Sequence, residues 1–138
     1  MSRASSVPTA GTEKNNSSNW ELKDNEILSK STIFAKRIVR AYQHLSEQRK
    51  ERILSKQLLR CGTSIGANVT EAQYGSSRKD FLNKLYIALK ECAETLYWLE
   101  ILYSGGYLTD AEYGSLNADC EELHKILSSI TKSVRDNS

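Results

Sequence analysis

The stretch "CGTSIGANVTEAQYGSS", Cys61 to Ser77, decides how this chain is read. It holds three glycines, an asparagine and several small hydroxyl residues, yet the sequence on either side is patterned as long amphipathic helices. Such residues in a helix need a reason, because each glycine costs roughly 1 kcal/mol relative to alanine. The apolar stripe Leu54, Leu58, Cys61, Ile65, Val69 and Ala72 runs straight through the stretch at spacings of three and four, so it is read as helical. Asn68 falls between Ile65 and Ala72. It is expected near the centre of the buried stripe, tied to a neighbouring helix, since an unpartnered buried amide costs on the order of 1–3 kcal/mol. Gly62 and Gly66 lie one turn apart on a flank, where missing side chains let another backbone approach. Glu71 lies on the other flank, placed to accept hydrogen bonds from a facing helix. Gly75, Ser76 and Ser77 then break the pattern.

Working outward, three more segments carry the helical period. Before the stretch, Ile27, Ser31, Phe34, Ile38, Tyr42 and Leu45 form one stripe, joined to the next helix by the short link "SEQ". After it, Ser77 is an N-cap with Asp80 three residues on. Phe81, Leu85, Ala88, Cys92, Leu96, Leu99 and Tyr103 then make the clearest repeat in the chain. "SGGY" ends that helix, with Gly105 or Gly106 as the left-handed cap. Thr109 and Glu112 form a capping box for the last helix, which carries Leu116, Cys120, Leu123, Leu127, Ile130 and Val134. Helices over about 25–45, 48–74, 78–104 and 110–134 predict an all-α fold, an antiparallel up-down-up-down four-helix bundle spanning 23–138. Residues 1–22, rich in Ser, Thr, Asn and Gly, are expected to form a disordered tail, with Trp20 or Leu22 as its only anchors. On the third helix, Tyr86, Tyr97 and Ile101 fall opposite the main stripe. A helix apolar on two sides is usually covered on both, and self-association is the simplest cover.

Composition bounds the classes open to the chain. Its 138 residues suit one domain, and an apolar fraction of 39% suffices for a single core. No apolar run approaches the roughly 20 residues of a membrane span, and the N-terminus lacks a signal-peptide pattern; a soluble, cytoplasmic protein is expected. Cys61, Cys92 and Cys120 are an odd number of widely spaced thiols, read as small buried hydrophobes. The net charge of +2 is unevenly spread: residues 1–76 hold 12 Lys/Arg against 7 Asp/Glu, and the remainder 7 against 10. The positive half concentrates Lys36, Arg37 and Arg40 on the first helix, and Arg49, Lys50, Arg52, Lys56 and Arg60 on or before the second. These eight are the candidate nucleic-acid-binding residues.

"SIGANVTEA" (Ser64–Ala72), "KDFLNKLYIAL" (Lys79–Leu89), Glu94 and "GYLT" (Gly106–Thr109) together resemble the four-helix-bundle family of 23S rRNA intervening-sequence proteins. That family is related to the accessory variability proteins of diversity-generating retroelements. The similarity covers roughly Asn25 to Ile130. Ser64, Ile65, Asn68, Glu71, Phe81, Ala88 and Glu94 match the family pattern. Gly66 replaces the usual proline, Thr70 and Ala72 replace alanine and glycine, and Lys90–Glu91 stand where Gly-Ser is common. The resemblance implies a bacterial, cytosolic homopentamer, with some relatives encoded inside rRNA insertions and others serving a reverse transcriptase. It implies no enzyme and no cofactor.

Three function classes remain to weigh. A binding module would engage RNA or DNA through the summed backbone-directed charge of a ring, since no recognition motif such as a zinc finger is present. A protein-interaction scaffold would use the charge asymmetry for assembly or for a partner such as a reverse transcriptase. An enzyme is the weakest reading: a di-metal bundle needs paired Glu-x-x-His motifs, and Glu121–His124 stands without a twin. No metal is expected.

Overall fold

Four helices account for nearly all of residues 26–137, the part of the chain that the computed structural model describes. They are α1 (Glu26–Glu47), α2 (Leu54–Ala72), α3 (Arg78–Ser104) and α4 (Asp110–Asp136), with no strand among the described residues. The tail expected over 1–22 lies outside these residues.

The helix ends show why the chain divides as it does. Thr109 and Glu112 close a complete capping box at α4: the Thr109 hydroxyl accepts from Glu112 N–H at 3.1 Å, and the Glu112 carboxylate accepts from Thr109 N–H at 2.8 Å. Ser77 accepts from Asp80 N–H at 3.1 Å, while Asp80 reaches back to Ser76 N–H. Gly106, with φ +83°, supplies the left-handed turn after α3.

The link between α1 and α2 differs from the sequence reading. Ser46, expected in the link, is buried in α1 and donates to the Gln43 carbonyl. The helix that was expected near position 48 begins at Leu54. Lys50 sits at φ +59°, which turns the chain out of α1. Glu51 is then only 8% exposed, and its carboxylate caps the next helix. One oxygen accepts from Ile53 and Leu54 N–H at 3.1 and 3.0 Å, and the other from Ser55 N–H at 2.7 Å. Three orphan donors of the first turn of α2 are thus satisfied by one side chain.

The core is a single cluster that includes Phe34, Ile38, Leu58, Ile65, Phe81, Leu85, Leu99 and Leu127. Each fully buried aliphatic side chain contributes about 1.5–3 kcal/mol. Gly62 and Gly66 face α1. A Cβ on Gly62 would stand 2.9 Å from Ile38 Cγ1 and Cγ2, and one on Gly66 would stand 3.2 Å from the Ser31 carbonyl oxygen. The glycines of the odd stretch therefore seat α1 against α2. Side-chain contacts fasten neighbouring helices together. Ser31 lies by Gly66 and Ile38 by Gly62; Arg60 pairs with Glu91 and Glu94 while Glu71 pairs with Lys84; Lys30 pairs with Glu122 and Arg37 with Asp119.

The three cysteines are free and fully buried. Burial pushes the Cys61 thiol up to about 11. Contact with Cys92, followed by burial, raises that of Cys120, whose Sγ donates to the Cys92 carbonyl at 3.5 Å.

Asn68 corrects an expectation. It is half-buried, and its amide donates to Ser64 O on its own helix at 2.8 Å instead of reaching a neighbour. Because Gly62 and Gly66 are themselves buried, the inward arc of α2 is centred towards them, which leaves Asn68 at its edge. Glu71 is exposed and meets α3 through Lys84 at 2.9 Å, as its flank position implied. Ser64 is half-buried at the same seam and donates to Arg60 O.

Candidate nucleic-acid interface

The eight candidate cations divide by what they already hold. Arg37 donates to Asp119 and, at 2.9 Å, to the Ser115 hydroxyl, which fastens α1 to α4. Arg60 pairs with Glu94 and Glu91, fastening α2 to α3, and Glu94 also accepts from the Trp98 indole at 3.3 Å. Arg49 donates to the Tyr107 and Gly106 carbonyls at 2.8 Å each, and its guanidinium lies 5.4 Å from the centre of the Tyr107 ring. These three arginines hold the bundle together, and their charge is partly consumed there.

The other five are exposed and make no ion pair among the described residues: Lys36 and Arg40 on α1, Lys50 and Arg52 in the link, and Lys56 in the first turns of α2. Lys50, Arg52 and Lys56 gather at one end of the bundle, beside the Arg49–Tyr107 contact. Ile53, 77% exposed, stands among them. This corner is short in sequence but depends on a residue far along the chain, since Tyr107 belongs to the loop after α3. Nothing in the sequence marks that pairing. Ile53 stands exposed because α2 begins only at Leu54, a start that the apolar period does not mark.

The outer face of α3 carries the residues expected at an oligomer contact. Tyr97 is 54% exposed, with its ring edge-on to Trp98 at 5.0 Å between centroids. Ile101, one turn on, is half-buried. Tyr86 lies on the same helix eleven positions before Tyr97, about 16 Å away, and faces Arg135 of α4. Tyr97 and Ile101 therefore form one patch, and Tyr86 stands apart. Phe81 belongs to the core.

No group of three or more His, Cys, Asp or Glu side chains is arranged to hold a metal ion among the described residues. His124 is half-buried beside Ala93, Leu96, Glu121 and Lys125, in a shallow depression between α3 and α4. No described helix is long and apolar enough to cross a membrane.

Four amphipathic helices around one apolar core define a small all-α bundle. The chain belongs to the 23S rRNA-intervening sequence protein family, whose sequence profile matches residues 23–129. Among solved structures it is similar to a protein of unknown function from the S23 ribosomal protein family of Bacteroides thetaiotaomicron VPI-5482. The two are 53% identical with a TM-score of 0.79, over 80% of this chain and 99% of that one. No curated protein matches the chain.

Proposed function

We propose that this protein is a non-catalytic, cytoplasmic nucleic-acid-binding accessory protein, an antiparallel up-down-up-down bundle that works as a homo-oligomer. The observation that carries this reading is the set of five exposed cations without an ion pair among the described residues, Lys36, Arg40, Lys50, Arg52 and Lys56, three of which gather at one end of the bundle. Phosphate binding scales with the number of cations that displace counterions. A ring of bundles, five by family resemblance, multiplies a patch that is modest in one copy. The ligand is RNA or DNA read through its backbone, and a reverse transcriptase is the protein partner that the retroelement relatives suggest.

A second reading is favoured by the exposed Tyr97–Ile101 patch and by Ile53: a protein-interaction scaffold of the same family without nucleic-acid binding. Salt separates the two. Binding to a structured RNA and to a matched DNA is measured across a salt series, for the wild type and for a Lys50→Glu/Arg52→Glu/Lys56→Glu variant. The binding reading expects affinity to fall steeply with salt, and the variant to flatten the log–log slope by about 3 per engaged protomer. No binding at low salt would leave the scaffold reading standing, and equal binding by the variant would move the interface off this corner.

A further inference from the structure

Between Gln48 and Lys56 the chain sorts its charges by depth. Arg49, Lys50, Arg52 and Lys56 are exposed, while Glu51, the only carboxylate of this segment, is buried and taken up by the N–H groups of Ile53, Leu54 and Ser55. Those donors are satisfied, so the start of α2 is no anion site in itself. What faces outward is cationic side chain. Arg49 donates to two carbonyls, those of Tyr107 and Gly106, and no carboxylate cancels its charge among the described residues.

Two features of this corner go beyond charge. Ile53 is 77% exposed in the middle of the cations, more than any other large aliphatic side chain among the described residues. Its N–H donates to Glu51 at 3.1 Å, so the backbone beneath it is held. The second feature is the flat Arg49 guanidinium, fixed over the Tyr107 ring and itself exposed. Both backbones at that contact are tied down: Arg49 N–H donates to the His44 carbonyl at 3.2 Å, and Tyr107 N–H to the Leu102 carbonyl at 2.9 Å. Arg49 and Ile53 are four residues apart, at most about 14 Å of chain. A duplex offers such a corner its phosphates but keeps its base faces stacked inside. An unpaired strand offers phosphates and base faces together, which guanidinium planes and apolar side chains take up.

We propose that the basic corner takes unpaired nucleotides, with Lys50, Arg52 and Lys56 on the phosphates and base faces packed on Arg49 and Ile53. This rests on the nucleic-acid binding proposed for the protein and names its ligand class: a single-stranded loop, bulge or end of RNA or DNA.

A strand stripped of its bases carries the same phosphates, which makes the test direct. The full chain is titrated at low salt with labelled oligothymidylate of about 12 nucleotides, within the usual single-strand site size, with an abasic strand of equal length, and with a duplex. Oligouridylate run beside them tells RNA from DNA. The proposal expects oligothymidylate or oligouridylate to bind roughly tenfold more tightly than the abasic strand, the effect of one stacked base. Ile53→Ala, which leaves the core untouched, and Arg49→Lys, which keeps the charge but not the plane, should each remove most of that difference. Affinity for the abasic strand and for the duplex, and the salt slope, should stay as in wild type, since no cation is lost. Equal binding of the abasic and base-bearing strands by wild type would overturn the proposal and leave backbone binding intact. A base preference untouched by both variants would overturn it too, by placing the bases elsewhere. No binding to any probe would overturn the nucleic-acid function together with this inference and leave Ile53 to a protein partner.

Discussion

At the scale of single residues, Glu51 does more than its position in the sequence announces. A glutamate three residues ahead of a helix is not a usual cap, so reasoning from capping preferences passes over it. In the fold its carboxylate takes the N–H groups of Ile53, Leu54 and Ser55. Burial pushes its acidity weaker, but the three backbone donors together outweigh burial and hold the carboxyl below its ordinary 4.5. A lowered folded value contributes stability that is complete above the unfolded value and is lost as pH falls through the folded one. Glu51→Ala should therefore cost about 1–2 kcal/mol near neutral pH. The gap to wild type should narrow as pH drops below 4.5, read from urea midpoints along a pH series. A gap that stayed constant with pH would mean that the ionised carboxylate is not what holds the turn. Asn68 teaches the opposite lesson. Its wheel position suggested a buried anchor, but its amide bonds only within α2, so Asn68→Ala should move the midpoint little.

At the scale of elements, most of the architecture was legible. The capping box at Thr109, the cap at Ser77 and the stop at Gly106 are local features, set by residues within one turn of each other. The start of α2 was not, because it depends on a left-handed Lys50 and on the carboxylate that follows it. The glycines were legible as sites of close approach, but the choice of partner was not, since nothing within one helix says which neighbour fills the gap. The structure assigns them to α1. Gly62→Ala should be destabilising despite its better helix propensity. The new methyl meets Ile38 Cγ1 and Cγ2 at 2.9 Å, atoms too close to the backbone to swing aside, and overpacking of this kind costs about 1–3 kcal/mol against roughly 1 kcal/mol gained in propensity. In an Ile38→Ala background the clash is gone, and the same substitution should become neutral or stabilising. A double-mutant cycle on thermal midpoints measures that coupling; additive effects would place the strain elsewhere.

At the scale of the whole molecule, the candidate surfaces were legible as residue types but not as free or engaged groups. Arg37, Arg49 and Arg60 looked like the exposed lysines beside them, and only the fold shows that they fasten α1 to α4, the end loops to each other and α2 to α3. Of the eight candidate cations the fold leaves five without an ion pair among the described residues, three of them at one basic corner, and it leaves an apolar patch on the outer face of α3. Tyr97 is the centre of that patch, 54% exposed and supported from below by Trp98. A large aromatic held rigidly at the surface is the kind of side chain that anchors protein contacts. The proposed oligomer would bury it. Tyr97→Glu places a charge at that contact without touching the core, so the monomer should keep its helicity and its thermal transition while the assembly loses its partners. Light scattering behind size exclusion, at matched concentrations, should then read a mass near the 15.6 kDa of one chain for the variant and a multiple of it for wild type. Ile101→Glu, one turn away and half-buried, should act in the same direction. An unchanged mass for both variants would move the interface off α3, and Ile53 at the basic corner would become the next surface to charge.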